Sequence, residues 1–254
     1  MSLRYSTGAV NSYSPCAVGP DLPYCIESAS KVRAWYNLAG FTVFTRWENG
    51  DVWGSDFRDS SGGDLASDGG SDVPEIYFYN GHGICQNPPS STDEDHIFVC
   101  GNFGKPDDTV IRTDCRWGNN PGNLRFALID ASCPMDLVSI DRVWFPVFRG
   151  LHMAVGHSGD ANHDTLNSPD RGGQFAALTI GYPPFSSWLF PQESIGDAWM
   201  HAGIIDIQSG CCAVALAAGN DRADAIDRRE NEKINDNRPK PTPNWFAWKW
   251  TCIL

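Results

Sequence analysis

Apolar residues along the chain fall into short runs separated by polar, glycine-rich turns. Three of these runs, at positions 76–79, 124–129 and 151–155, are almost wholly apolar. Short continuous runs without polar alternation are typical of strands buried on both faces of a parallel sheet. Further strands are predicted near residues 3–10 and over residues 41–45, and residues 211–218 form the last predicted strand.

Helical spacing separates these strands. Residues 27–39 repeat apolar side chains near a helical period, and Gly40 follows as a helix-terminating residue. We predict further helices over residues 175–180 and 195–205, an exposed salt-bridged helix over 223–229, and a helix or irregular crossover over 136–148. The tail with Trp245, Trp248 and Trp250 is expected to pack back onto the domain. Alternating strands and helices predict an α/β fold, with a mostly parallel sheet covered by helices on both faces.

Length, charge and hydrophobicity indicate a single domain and argue against nucleic-acid and membrane partners. The 254 residues suit a single domain spanning 1–254, and 19 Lys and Arg against 31 Asp and Glu give a net charge of −12. The densest basic run, Arg228-Arg229, lies among acidic residues, so nucleic-acid binding is disfavoured. Apolar stretches fall well short of the roughly 20 residues that cross a bilayer, so we predict no membrane association.

The cysteines and the first residues of the chain do not determine the cellular compartment. The chain has nine cysteines, and none forms a Cys-x-x-Cys pair, so we predict no structural zinc site. Residues 1–5 contain no secretory apolar segment, whereas this number of cysteines would suit a secreted protein.

Reactive side chains follow two neighbouring strands of the predicted sheet. His82 stands between two glycines after the run at 76–79, and Cys133 follows the run at 124–129. Ligands bind outside the carboxyl ends of the strands in such sheets, so we expect both side chains at one edge. A nearby imidazole activates a thiol for nucleophilic attack, which makes Cys133 and His82 a candidate catalytic dyad.

These two motifs resemble the caspase–gingipain–legumain group of cysteine peptidases, and most closely its uncharacterised gingipain-like members. The strand followed by Gly-His-Gly, and then the strand followed by Ala-x-Cys, carry the resemblance, which extends roughly over residues 4–218. It implies a caspase-like three-layer sandwich with Cys133 as nucleophile and His82 as general base or acid. The backbone amides of Gly83 and Cys133 are then the expected oxyanion donors.

Each residue also has a structural interpretation. Cys133 at a strand end suits a small core residue, and His82 suits a turn histidine that bonds the backbone. Asp130 either orients His82 or caps the following helix, and capping is the favoured role.

Polar residues after the third apolar run are expected to line the substrate pocket. His157, Asp160 and Asp164 occupy this position, and the two carboxylates suit a basic substrate side chain. Together with His152 and His163 they form a candidate metal site. Residues five apart on a strand face opposite sides, so we predict no metal ligands there and no cofactor.

The sequence therefore predicts a thiol-dependent hydrolase that cleaves peptide or related amide or ester bonds. One alternative is a non-catalytic binding module with the same fold, and another is an acyl-transfer or cyclisation enzyme that uses the same dyad. A disulfide-stapled scaffold, with at most one cysteine left unpaired, is a further alternative. The sequence predicts no oligomeric state.

Overall fold

A computed structural model describes residues 2–13, 20–57, 70–84, 96–98, 109–111, 115–118, 122–161, 171–181, 191–205 and 211–252. The strands of the main sheet are β1 (Arg4–Ala9), β2 (Thr42–Glu48), β3 (Ile76–Asn80), β7 (Phe126–Asp130), β8 (Met153–Ser158), β9 (Cys212–Gly219) and β10 (Trp245–Cys252). The helices are α1 (Cys25–Leu38), α2 (Ile140–Trp144), α3 (Arg171–Ile180), α4 (Ile195–Ile205) and α5 (Arg222–Asn231).

The main sheet is mostly parallel. Its strand order is β10-β9-β8-β7-β3-β1-β2, and the five strands from β8 to β2 all run in the same direction. Strands β9 and β10 add to the β8 edge in antiparallel pairs. The predicted α/β class with a mostly parallel sheet is therefore confirmed.

A second, smaller sheet lies in the chain between His82 and Cys133. It consists of β4 (Gly83–Ile84), β5 (His96–Phe98) and β6 (Thr109–Ile111), paired in antiparallel fashion. The hydrophobic pattern predicted no element here, because these strands are too short to show a period.

Helices and aromatic residues cover the two faces of the main sheet. On one face α3 packs closely against α1 and β3: a Cβ on Gly172 would lie 2.5 Å from Ser28 Oγ and 2.8 Å from Phe78 Cζ. On the other face the ring of Trp144 from α2 meets that of Trp117, with centroids 6.0 Å apart. The result is a three-layer α/β sandwich.

Three helices differ from the predicted segments. Helix α2 occupies only five residues of the predicted stretch 136–148. Helix α3 begins at Arg171, four residues before the predicted start, through the weak helix formers Gly172 and Gly173. Helix α5 is salt-bridged as predicted and exposes residues 222, 223, 226 and 227, but its Arg228, which pairs with Asp224 and Glu232, is 2% exposed.

The tryptophan-rich tail packs back onto the domain as predicted, and it does so as an edge strand of the main sheet. Strand β10 pairs with β9 along its full length, and a disulfide joins Cys212 to Cys252. Phe246 stacks on Phe145, whereas Trp245 and Trp250 are each about half exposed, at 50% and 53%.

The cysteines do not form the network expected of a disulfide-stapled scaffold. Cys25, Cys115 and Cys211 carry thiols, whereas that alternative allows at most one cysteine outside a disulfide. Within the part of the chain that the structure describes, no helix is long and apolar enough to cross a membrane.

Candidate active site

The carboxyl ends of three parallel strands place polar residues at one edge of the sheet. Strands β3 and β7 end at Asn80 and Asp130, and β8 carries His157 near its end. Strand β9 runs the other way and pairs Cys212 with Ser158, so the preceding residue, Cys211, lies at the same edge. This edge therefore gathers side chains from four adjacent strands.

The segments that carry His82 and Cys133 also meet at this edge. A Cβ on Gly83 would lie 2.1 Å from the Ser132 carbonyl oxygen. Only glycine permits this approach, because any larger residue would overlap backbone that cannot move aside. The contact explains Gly83 by packing, and the proposed oxyanion role of its amide stays a prediction.

Cys133 does not carry the thiol that the predicted dyad requires. Its sulfur is disulfide-bonded to a cysteine outside the described residues. The nucleophile in thiol chemistry is the thiolate, and a sulfur in a disulfide has no thiolate to offer. In this structure the assignment of Cys133 as nucleophile is therefore wrong.

The Cys133 amide is also unsuited to the oxyanion role. Its N–H donates to the Gly159 carbonyl at 3.0 Å, within the turn that follows β8. Cys133 has a positive φ of 52°, a conformation that the contact with Gly159 and the disulfide help to hold. A donor already satisfied by a backbone carbonyl cannot also stabilise a developing oxyanion, so this second assignment is wrong as well.

His82 is held as a turn histidine. Its Nε2 lies 2.7 Å from the Pro20 carbonyl oxygen, so Nε2 carries the proton and donates. Its backbone N–H donates to Tyr13 Oη at 2.7 Å, and the two rings pack with centroids 4.4 Å apart. These contacts match the structural interpretation and leave only Nδ1 as a possible base.

A buried ionic cluster lies at the same edge of the sheet as His82 and Cys133. Asp130 Oδ1 is 3.1 Å from His157 Nε2 and 2.5 Å from Arg171 Nη1, and Asn80 Nδ2 donates to Asp130 Oδ2 at 3.0 Å. All four side chains are nearly inaccessible to solvent. The expected helix-capping role of Asp130 is wrong, because its carboxylate points into this cluster.

The thiol of Cys211 completes a chain of three groups. Its Sγ lies 3.6 Å from Nδ1 of His157, whose Nε2 faces Asp130. With the imidazole proton on Nε2, donated to the carboxylate, Nδ1 is the acceptor that faces the thiol. Cys211 is half-buried, whereas His157 is 2% exposed, so the sulfur is the most accessible member of the chain.

Arg171 fixes the carboxylate in this chain. Its Nη1 lies 2.9 Å from His157 Nε2 as well as 2.5 Å from Asp130. A guanidinium can only donate, so it competes for the Nε2 lone pair unless Nε2 itself is protonated. The arrangement that satisfies all three groups has both Arg171 and the imidazole donating to Asp130.

The predicted substrate-binding residues are dispersed. His157 belongs to the buried cluster, so it does not line a pocket as expected. Asp160 is exposed two residues after β8, at the same edge, and its role stays a prediction. Asp164 and His163 lie outside the described residues. Among the described residues, no group of three or more His, Cys, Asp or Glu side chains is placed to hold a metal ion.

Sequence reasoning did not select Cys211 or Arg171. In a parallel sheet the residues at this edge follow their strands, whereas Cys211 precedes its strand and reaches the edge because β9 is antiparallel. The adjacent cysteines 211 and 212 were a usable signal: one enters the strand and forms a disulfide, so the other lies at its entrance.

Comparison with known proteins adds a family and no activity. No curated protein matches the sequence. A family model described as a domain of unknown function, DUF6345, matches residues 7–250. Because this match spans nearly the whole length, the chain belongs to the DUF6345 family.

Proposed function

We propose that the protein is a thiol-dependent hydrolase that cleaves peptide or related amide or ester bonds, with Cys211 as nucleophile in place of the expected Cys133. The observation that carries this proposal is the 3.6 Å contact between Cys211 Sγ and His157 Nδ1, backed by Asp130 at 3.1 Å. A nucleophile beside a base that is itself oriented by a third group is the usual arrangement for covalent catalysis.

The reaction follows from these positions. The sulfur attacks the substrate carbonyl carbon while its proton moves to His157 Nδ1. The imidazolium then returns this proton to the leaving amine or alcohol, which departs and leaves a thioester. Water activated by the same nitrogen attacks the thioester, releases the acid and restores the thiol. The buried Asp130 carboxylate stabilises the imidazolium that forms in each half-reaction.

The fold supports the resemblance to the caspase–gingipain–legumain group in part. The mostly parallel three-layer sandwich and the meeting of the His82 and Cys133 segments at one edge are in keeping with it. The disulfide at Cys133 is the point of departure. The reaction class implied by the resemblance is thus kept, with the thiol supplied by a neighbouring strand.

A non-catalytic binding module is the second candidate. The disulfide-bonded Cys133 and the carbonyl-bound His82 favour it, since both expected catalytic groups are engaged in structural contacts. An acyl-transfer enzyme would use the Cys211 thioester in the same way but pass the acyl group to an amine instead of water.

The first experiment measures alkylation of each cysteine by iodoacetamide at neutral pH, with peptide mapping by mass spectrometry. We expect Cys211 to react faster than a small-molecule thiol under the same conditions, while the buried thiols of Cys25 and Cys115 serve as unreactive internal references. His157→Gln should slow the labelling of Cys211 at least about tenfold. His201→Gln, at an exposed position, is the matched control.

The second experiment separates the two thiols by turnover. A panel of fluorogenic peptides and a generic ester is assayed with Cys211→Ala and Cys133→Ala, with and without dithiothreitol. We expect Cys211→Ala to lose at least about a thousandfold in kcat/KM in both conditions. If Cys133→Ala alone abolished turnover, and only reduced protein were active, the nucleophile would be Cys133. A Cys211 that labels no faster than an ordinary thiol, without turnover of any substrate, would favour the binding module.

Asp160 gives the proposal a substrate preference to test. An exposed carboxylate beside the edge would favour a basic side chain next to the cleaved bond. Peptides with Arg or Lys at that position should be cleaved faster than neutral ones, and Asp160→Asn should remove the difference. Equal rates for basic and neutral peptides would exclude this preference.

A further inference from the structure

A large cavity lies at the opposite edge of the sheet, away from the candidate active site. Its volume is about 820 Å³, which is within the range of sites for small organic ligands. Five of its lining residues, Leu3, Phe41, Glu75, Arg125 and His152, each stand one position before a parallel strand. The cavity is therefore at the amino ends of the strands, and its wall also includes residues 235–238 and 240, together with Ser2, Ala39, Gly40 and Asn123.

Positive charge in this cavity is incompletely neutralised. The two lining carboxylates are paired, Glu75 with Arg4 and Asp236 with Arg238. Lys240 donates to the Gly122 carbonyl, but among the described residues it meets no carboxylate. Lys240 therefore brings to the cavity wall a positive charge that no carboxylate of the described residues pairs with.

Arg125 is the second cation at the cavity wall, where the carboxylates of Glu232, Glu75 and Asp236 act on its charge. Its Nη2 donates to the Asp236 carbonyl and lies 3.7 Å from Glu232, a carboxylate that also serves Arg228 and His152. Its buried Nε has no hydrogen-bond partner among the described residues. Burial lowers the pKa of Arg125, with the nearby carboxylates opposing the shift, so another negative charge would stabilise this guanidinium.

His152 provides a polar group in the wall that also lacks a partner. Its side chain is fully buried, and Nδ1 lies 2.6 Å from Glu232 Oε1. Its Nε2 makes no hydrogen bond within the described part of the chain. Buried polar atoms in native proteins are nearly always satisfied, so an unsatisfied one at a cavity wall points to a missing ligand or water.

We propose that this cavity binds a small organic anion, whose phosphate or carboxylate group is held by Lys240 and Arg125 while its apolar part contacts Leu3 and Phe41. Arginine and lysine are the usual partners of both oxyanions, and partly buried apolar side chains provide the remaining surface. The site is independent of the thiol chemistry, because its groups come from the other ends of the strands.

Binding is tested with phenyl phosphate and benzoate as probes and benzyl alcohol as the neutral control. Thermal unfolding and isothermal titration calorimetry of the full chain should show saturable binding of at least one anion and none of the alcohol. The stronger anion identifies the oxyanion that the site prefers. The ring signals of His152 in NMR spectra should shift on titration, which locates the ligand at this cavity.

Lys240→Gln is the informative variant because Lys240 is exposed and its loss should not unfold the protein. We expect it to weaken anion binding at least about tenfold. Lys233→Gln removes the same charge from an exposed position outside the cavity and should bind like the unaltered protein. Absence of saturable binding by both anions, equal binding by the two variants, or equal binding of benzyl alcohol would each overturn the proposal.

Discussion

The two histidines at the carboxyl edge of the sheet illustrate how environment decides the role of a side chain. His82 donates from Nε2 to a backbone carbonyl and packs on a tyrosine ring. His157 lies instead between a thiol and a carboxylate, one at each ring nitrogen. Both residues follow apolar runs in the sequence, and only the second has polar partners that suit proton transfer.

The position of a residue could be predicted from the sequence where the order of the strands along the chain determines it. The placement of His82 and Cys133 near each other follows from two neighbouring parallel strands. The engagement of Cys133 in a disulfide depends on a residue distant in the chain, and the burial of Arg171 beside Asp130 depends on the packing of α3. Long-range contacts of this kind leave no periodic signal in the sequence.

Gly83→Ala tests the close contact at this edge. The added Cβ would fall 2.1 Å from the Ser132 carbonyl oxygen, so the backbone must shift and we expect a loss of about 2 kcal/mol or more in the free energy of unfolding. Gly50→Ala is the control, since no atom lies within 4 Å of its Cβ position. Urea unfolding measures both variants. Equal stabilities would mean that the Gly83 and Ser132 segments do not pack as described.

At the scale of elements, the central strands could be predicted because they are buried on both faces and therefore form continuous apolar runs. The edge strand β10 could not be predicted in this way. The continuous apolar runs at 76–79, 124–129 and 151–155 correspond to β3, β7 and β8 within a few residues. Strand β10 carries exposed tryptophans, a half-buried Phe246 and a buried Ala247, so its sequence resembles an irregular tail. Near the start of helix α3, Gly172 lies so close to α1 that a Cβ would fall 2.5 Å from Ser28 Oγ, and tertiary contacts thus override weak helix propensity.

The disulfide that fastens β10 to β9 gives a prediction at this scale. Replacing both Cys212 and Cys252 with Ser opens a loop with a sequence separation of 40 residues, and we expect about 2–4 kcal/mol less stability. Chemical unfolding without reductant measures the loss.

Dithiothreitol supplies the control for that prediction. It opens the same bond in the unaltered protein, and the Cys133 disulfide is present in both proteins. The stability difference should therefore nearly vanish under reducing conditions. A difference of the same size with reductant would assign the effect to packing of the two side chains and not to the cross-link.

At the scale of the whole molecule, the parallel strands separate two chemically different edges. The carboxyl edge carries the thiol, imidazole and carboxylate, and the amino edge carries the cavity with Arg125 and Lys240. A strand of five residues such as β7 spans about 17 Å, so the two sites share no side chain. The sequence pattern predicted the first edge and contained no signal for the cavity, whose wall comes from segments far apart in the chain.

Stability as a function of pH is a property of the whole molecule that one buried residue should dominate near neutrality. Burial lowers the pKa of His152, a hydrogen bond that the imidazole donates to Glu232 raises it, and the charges of Arg125 and Arg228 also lower it. The unfolded chain therefore binds a proton, at a pKa of about 6.5, that the folded protein does not. The contribution of the neutral His152 to the free energy of unfolding should be complete above about pH 6.5. It should decrease as the pH falls below this value, by at most about 1.4 kcal/mol per pH unit.

In His152→Gln the free energy of unfolding should change less steeply with pH, because one proton-binding group has been removed. His201→Gln, on the surface, should leave the pH dependence unchanged. The slope is measured by urea unfolding between pH 7.5 and 5. Salt at about 0.15 M screens the repulsion between the acidic groups on the surface. The carboxylates act in a lower range. Burial would raise the pKa of Asp197, but hydrogen bonds from Lys249 and Ser194 hold it below its usual value. An unchanged slope in His152→Gln would show that His152 binds its proton equally well in the folded and the unfolded state.

The pairing of β8 with β9 has a consequence for two side chains that stand 54 positions apart in the chain. His157 pairs with Ala213 and Ser158 with Cys212, so the spacing between the imidazole and the Cys211 sulfur is set by hydrogen bonds between adjacent strands. The proposed nucleophile and base are therefore preorganised at their working distance before a substrate binds.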